Sequence, residues 1–155
     1  MNFSEGDGAP ASPGLVPELL ITDLSASLNF WVGLCGFTLL YDRPKEGFAY
    51  VTLGTAHVML EQVGAGRNWI PDVLEKPLGR GVNFEITVPA IAPLVERLAS
   101  ADWPLFMAPE SKTYQTGDTA VGVSQFLVQD PDGYLLRFAS PDDGAPMAHQ
   151  PAQRI

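Results

Sequence analysis

One cysteine, Cys35, stands in a chain of 155 residues. That excludes an intrachain disulfide and a zinc site built from several thiolates. Because it falls in an apolar helical pattern, it reads as a small buried hydrophobe and not as a nucleophile. Histidine is almost as scarce, with 2 residues, and His57 is the only one before the tail. Cations are few as well: 9 Lys+Arg face 18 Asp+Glu, a formal charge of −9. Such a balance argues against nucleic acid as a partner, since phosphate binding needs a basic footprint. It suits a cationic ligand, although acidic solubility accounts for it equally. No stretch approaches the ~18 apolar residues of a membrane span, and "MNFSEGDGAPASPG" has no basic segment leading into an apolar one. The expectation is a soluble, cytoplasmic protein with no membrane partner.

What is present is apolar and aromatic: 46% hydrophobic residues, with 3 Trp, 4 Tyr and 8 Phe. That is enough for one domain, or for two small halves sharing a core. "VPELLIT" reads as a strand, and Asp23 can cap a helix from Leu24 to Cys35 that places Leu24, Leu28, Trp31 and Cys35 on one face. Gly36 is its natural stop. "FTLLYDR", "GFAYVTLG" and "AHVMLEQ" follow as three strands. The order then repeats. "GVNFEITV" is a strand and "PAIAPLVERLASADW" a helix with Ile91, Leu94, Val95 and Leu98 inward; "WPLFMAPE", "GVSQFLVQD" and "YLLRFAS" are three more strands. This is an internal duplication of topology. The expected class is α+β: two βαβββ modules forming one curved mixed sheet with the helices on its convex side. The boundaries are a flexible segment 1–13, a first module 14–62, a linker 63–80, a second module 81–140 and a flexible tail 141–155.

Alternation assigns faces, because successive strand side chains point oppositely. Val82, Phe84, Ile86 and Val88 should meet a helix, leaving Asn83, Glu85 and Thr87 on the other side. By the same count Phe48, Tyr50, Thr52, His57, Met59, Glu61, Leu135 and Arg137 face away from the core, with Glu18 and Leu20. The plain reading is a solvated sheet face. The alternative is a ligand-lined cup, since rings with a few polar anchors are the usual form of a small-molecule site. Arg137 is expected to pair with one of the glutamates.

"ITDLSASLNFWVGLCGFTLLYD" and "FLVQDPDGYLLRF" resemble the vicinal oxygen chelate superfamily, which includes glyoxalases, extradiol dioxygenases and bleomycin resistance proteins. The resemblance covers residues 14 to 140. Its metalloenzymes hold an ion at four strand positions, which correspond here to Val16, Glu61 (or Leu60 after a register slip), Asn83 and Arg137. Valine offers no donor, an amide is a weak one and a guanidinium repels the ion, so no metal and no cofactor are expected. What remains looks like the bleomycin resistance proteins, which sequester a cationic glycopeptide antibiotic without modifying it. That resemblance implies a homodimer and a hinge at Pro17. It implies a ligand site drawn from Trp31, Phe48, Tyr50, Met59, Glu61, Trp69, Asn83, Glu85, Trp103 and Arg137, with no catalytic residue. Two rivals stand beside it: a metal-dependent enzyme of the glyoxalase or dioxygenase type, and a binder of another small aromatic ligand. Whether half-cups pair within a chain or across a dimer is left open by the sequence.

Overall fold

The computed structural model describes residues 13–142, so the expected flexible ends lie almost wholly outside the described residues. The first module runs β1 (Glu18–Ile21), α1 (Leu24–Leu28), a π-helical continuation (Asn29–Leu34), β2 (Thr38–Arg43), β3 (Phe48–Leu53) and β4 (Ala56–Gln62). The second runs β5 (Asn83–Thr87), α2 (Ala92–Ser100), β6 (Met107–Thr116), β7 (Thr119–Gln129) and β8 (Leu135–Pro141). The same topology occurs twice: strand order β1-β4-β3-β2 in sheet A and β5-β8-β7-β6 in sheet B, with the outer pairs β1–β4 and β5–β8 parallel.

The single curved sheet expected from the sequence is not what forms. Two separate mixed sheets form, each open with its own edge strands, and neither closes or curls strongly. The reason is local. Each module brings its last strand back beside its first, so the ladder is completed within the module. The modules are joined by side chains instead. One apolar cluster takes Leu19, Ile21 and Leu60 from sheet A, Phe30 and Trp31 from the first helix, and Ile86, Phe126 and Phe138 from sheet B. The helices therefore flank the two sheets, each turning one face into this shared core, as Leu94 and Leu98 of α2 do.

The first helix is capped as its sequence predicts, with Asp23 Oδ1 accepting from Ala26 N at 3.0 Å. Beyond Leu28 it widens into a π turn, where Cys35 N donates to Phe30 O at 2.9 Å. A five-residue spacing turns Phe30, Trp31 and Cys35 all inward. Burial pushes the Cys35 thiol up to about 12, so this cysteine is inert at neutral pH. Gly36, at φ 82°, ends the helix in the left-handed region. In the second helix Pro93 falls in the first turn, where it costs no hydrogen bond, and Leu94 and Leu98 are buried.

"QDPDGY" turns out to be the polar joint between modules. Asp132, almost wholly buried, accepts from Thr22 N at 3.2 Å and Thr22 Oγ1 at 2.6 Å. Asp130 accepts from Trp31 Nε1 at 3.2 Å and from the backbone N–H groups of Asp132 and Tyr134. Desolvation raises its carboxyl to about 6 against the pull of those donors. The Tyr134 hydroxyl donates to Leu20 O at 2.8 Å. Trp31→Phe keeps the ring and removes the indole donor. It should cost about 1–3 kcal/mol in urea unfolding, the usual range for a buried hydrogen bond to a charged group.

Candidate functional site

The residues facing away from the core gather into two patches, one on each sheet. On sheet A the register sets Phe48 opposite Glu61, Tyr50 opposite Met59, Thr52 opposite His57, and Glu18 beside Met59. The edge strand β2 adds Tyr41 opposite Tyr50 and Arg43 opposite Phe48. Tyr41 and Tyr50 stack with centroids 5.3 Å apart, and the Arg43 guanidinium lies 3.8 Å above the Phe48 ring. That cover leaves Phe48 only 4% exposed, so its ring supports the patch from beneath. The Tyr50 hydroxyl and His57 Nδ1 are 2.9 Å apart. His57 is therefore held by a phenol, and Tyr50 is itself raised above the ordinary tyrosine range by burial and then by Tyr41.

At the β1 side of this patch stand two carboxyls. Glu18 is raised to about 7, first by a hydrogen bond shared with Glu61, then by partial burial and by repulsion from the Glu61 charge; Arg43 pulls the other way. Glu18 therefore exchanges its proton near neutrality, beside the Glu61 carboxyl. The arrangement is a set of stacked rings bordered by two neighbouring acids.

On sheet B, Glu85 pairs with Arg137 across the parallel β5–β8 ladder, with Nη2 2.7 Å from Oε2. Both side chains are about one-quarter exposed, at 29% and 26%. The ion pair expected for Arg137 is thus present, and its partner is Glu85. Asn83 opens the same strand, exposed, opposite Leu135.

Several residues implied by the resemblance lie elsewhere. Trp31 is fully buried, edge-on to Phe30 and Phe37 and hydrogen-bonded to Asp130, so no face of its ring is open to a ligand in this chain. Trp103 packs on Phe30 with centroids 4.9 Å apart and donates to Gln129 O, which makes it part of the core margin. Trp69 projects from the linker, 69% exposed, with Arg67 4.7 Å over its ring. Pro17 extends the parallel ladder, its carbonyl accepting from Met59 N at 2.9 Å. Val82, expected in the core, stands exposed before β5 begins. A groove of about 550 Å³ between the helices, lined in part by Gly33, Leu34, Pro93 and Arg97, includes none of the expected residues.

Tyr41 and Arg43 were not marked by the sequence pattern. A bulge between Leu39 and Tyr41 shifts the register of β2, so alternation counted from "FTLL" points the wrong way there. Tyr114 was missed because "SKTYQTGDTAVG" carries too little apolar alternation to announce the tip of the long β6–β7 hairpin, while Glu110 and Gln125 lie in strands that the sequence showed but whose faces it did not assign.

The four positions where metalloenzymes of the resembled superfamily hold their ion carry Val16, Glu61, Asn83 and Arg137. Only Glu61 is an ordinary ligand, and it is engaged with Glu18. The guanidinium at the fourth position already takes up the nearest carboxylate. Among the described residues no three His, Cys, Asp or Glu side chains converge as a metal would require. This donor set does not fit a divalent ion.

A model of the "Glyoxalase/Bleomycin resistance protein/Dioxygenase superfamily" matches residues 16–138. A superfamily member of that description from Vibrio splendidus 12B01 is 43% identical over 80% of this chain and 94% of its own, with a TM-score of 0.37. TioX from Micromonospora sp. ML1 is 22% identical over 83% of this chain and 98% of its own, with a TM-score of 0.62. Virulence protein STM3117 from Salmonella typhimurium is 17% identical over 85% of this chain and 98% of its own, with a TM-score of 0.59. No curated protein matches. With the repeated module, the Asp-Pro-Asp-Gly joint and a family match over most of its length, the chain belongs to the glyoxalase/bleomycin resistance protein/dioxygenase superfamily.

Proposed function

We propose that the protein binds, without chemical turnover, a small planar molecule that carries a positive charge. The observation that supports this reading most is the sheet A patch, where stacked Tyr41 and Tyr50 border the Glu18–Glu61 pair. Rings supply stacking and cation–π attraction of ~0.5–2 kcal/mol per contact, and the acids supply charge. Micromolar affinity needs ~8 kcal/mol, so several such contacts must act together. Met59 and the Glu85–Arg137 pair would add to the wall.

The two patches lie on different sheets, and no hydrogen bond or ion pair joins them among the described residues. A homodimer with two-fold symmetry would lay sheet A of one copy over sheet B of the other, giving two equivalent cups. Within this family the bleomycin-type antibiotics, cationic and aromatic, are the ligand class to test first. Calorimetric titration of metal-free bleomycin, run with light scattering on the same sample, should give a micromolar or tighter Kd, one ligand per chain and the mass of a dimer. Absence of heat with bleomycin, alongside binding of simpler aromatic cations, would reassign the ligand. Absence of heat with every aromatic cation would remove the proposal.

A further inference from the structure

Sheet B carries two polar atoms that the chain itself leaves without partners, and both belong to side chains on its candidate face. Gln125 sits on β7, opposite Ala139 of β8 and Glu110 of β6, and is only 5% exposed. Its Nε2 donates to Glu110 Oε1 at 3.0 Å and to the Tyr114 hydroxyl at 3.0 Å. Both amide protons are thereby used, which fixes the orientation of the amide. Turning it over would set its oxygen against the Glu110 carboxylate. Oε1 is left buried with no partner. Arg137 lies two residues before Ala139 on β8, hence on the same face. It gives Nη2 to Glu85, while its Nε is also buried and unpartnered. One free acceptor and one free donor therefore stand on adjacent strands, one ladder step apart. Leaving both unmade is costly in a folded chain, because neither reaches water.

We infer that Gln125 Oε1 and Arg137 Nε form a subsite for a neutral carboxamide, whose oxygen accepts from Arg137 and whose N–H donates to Gln125. The surroundings select that group. A carboxylate or phosphate would meet Glu85 and Glu110, which already flank the two atoms. An ammonium offers nothing for Nε to donate to and meets the guanidinium charge. A hydroxyl can bridge the same two atoms, but an amide does so through two atoms held in one rigid plane. Access runs past the Arg137 side chain, which is partly exposed and must shift as the amide enters. This inference rests on the ligand reading above: the acids hold the charge of the ligand, and this pair reads a neutral arm.

The experiment is a pair of titrations of the ¹⁵N-labelled full chain, one with 1-methylnicotinamide and one with 1-methylpyridinium. These two planar cations differ by the carboxamide alone. NMR should give an affinity about tenfold higher for the first, the worth of one or two net hydrogen bonds, together with a shift of the Arg137 Nε–H signal. In Gln125→Met the ratio of the two affinities should fall to about one. Equal affinities in the wild-type chain, or a preference that survives Gln125→Met, would overturn the subsite and leave the cation reading standing. Binding of neither cation would overturn both. If the variant fails to fold, the wild-type ratio still decides.

Discussion

Asp132→Ala should lower the folding free energy by about 3 kcal/mol and leave the sheet A patch intact in the molecules that remain folded. Asp132 is buried at the joint between modules and holds both the N–H and the hydroxyl of Thr22. Thr22 is itself exposed and can turn to water, so the cost is that of losing two hydrogen bonds to a buried carboxylate, about 1.5–3 kcal/mol for a bond to a charged group. Lys76 stands 3.4 Å away with its own side chain largely in solvent, so its charge is partly screened. Against a total stability of roughly 5–15 kcal/mol for a domain, the loss is severe. Urea unfolding of the two proteins side by side measures it, and a loss below about 1 kcal/mol would show that the Asp-Pro-Asp-Gly turn is a turn and not a joint.

Affinity for an aromatic cation of fixed charge, such as 1-methylquinolinium, should rise about tenfold between pH 6 and pH 8. The sign follows from the Glu18 proton. Glu18 is raised to about 7 chiefly by its hydrogen bond to Glu61, so below that pH the pair carries one negative charge and above it two. A cation prefers the doubly charged pair, and the fraction in that state climbs from about a tenth to about nine tenths over this interval. Because the ligand cannot titrate, the proton released belongs to the protein. Glu61→Gln removes the partner that raises Glu18. It should weaken binding severalfold and flatten the profile over the same range. A wild-type profile that is already flat would detach the acid pair from binding. A slope that persists in Glu61→Gln would assign it to another group on the face, where His57 and Arg43 also stand.

The faces of the strands were legible because alternation is a property of the local chain. Phe84 and Ile86 go inward and Glu85 outward whatever the rest of the molecule does. The same count placed Arg137 and Glu85 on one face, and a parallel register then brought them to 2.7 Å. Trp31 was harder. An aromatic on a helix next to a proposed cup reads equally well as lining or as core, and only the π turn, with Asp130 waiting for the indole N–H, decides for the core. Tyr41 stayed hidden behind a bulge, since one extra residue reverses every assignment downstream of it.

By itself the sequence determined the repeated strand-helix-strand order, the faces of β3, β4, β5 and β8, and the charge of the chain. Those depend on residue type and on neighbours a few positions away. Tertiary structure alone decided that the modules form two sheets joined by a buried side-chain core, and that the stacked rings and the carboxyl pair share one patch. It also left Gln125 and Arg137 each holding an unused polar atom. These outcomes are set by which strand lies beside which. Residues far apart in sequence meet only when the ladders have closed, and no local pattern records that meeting.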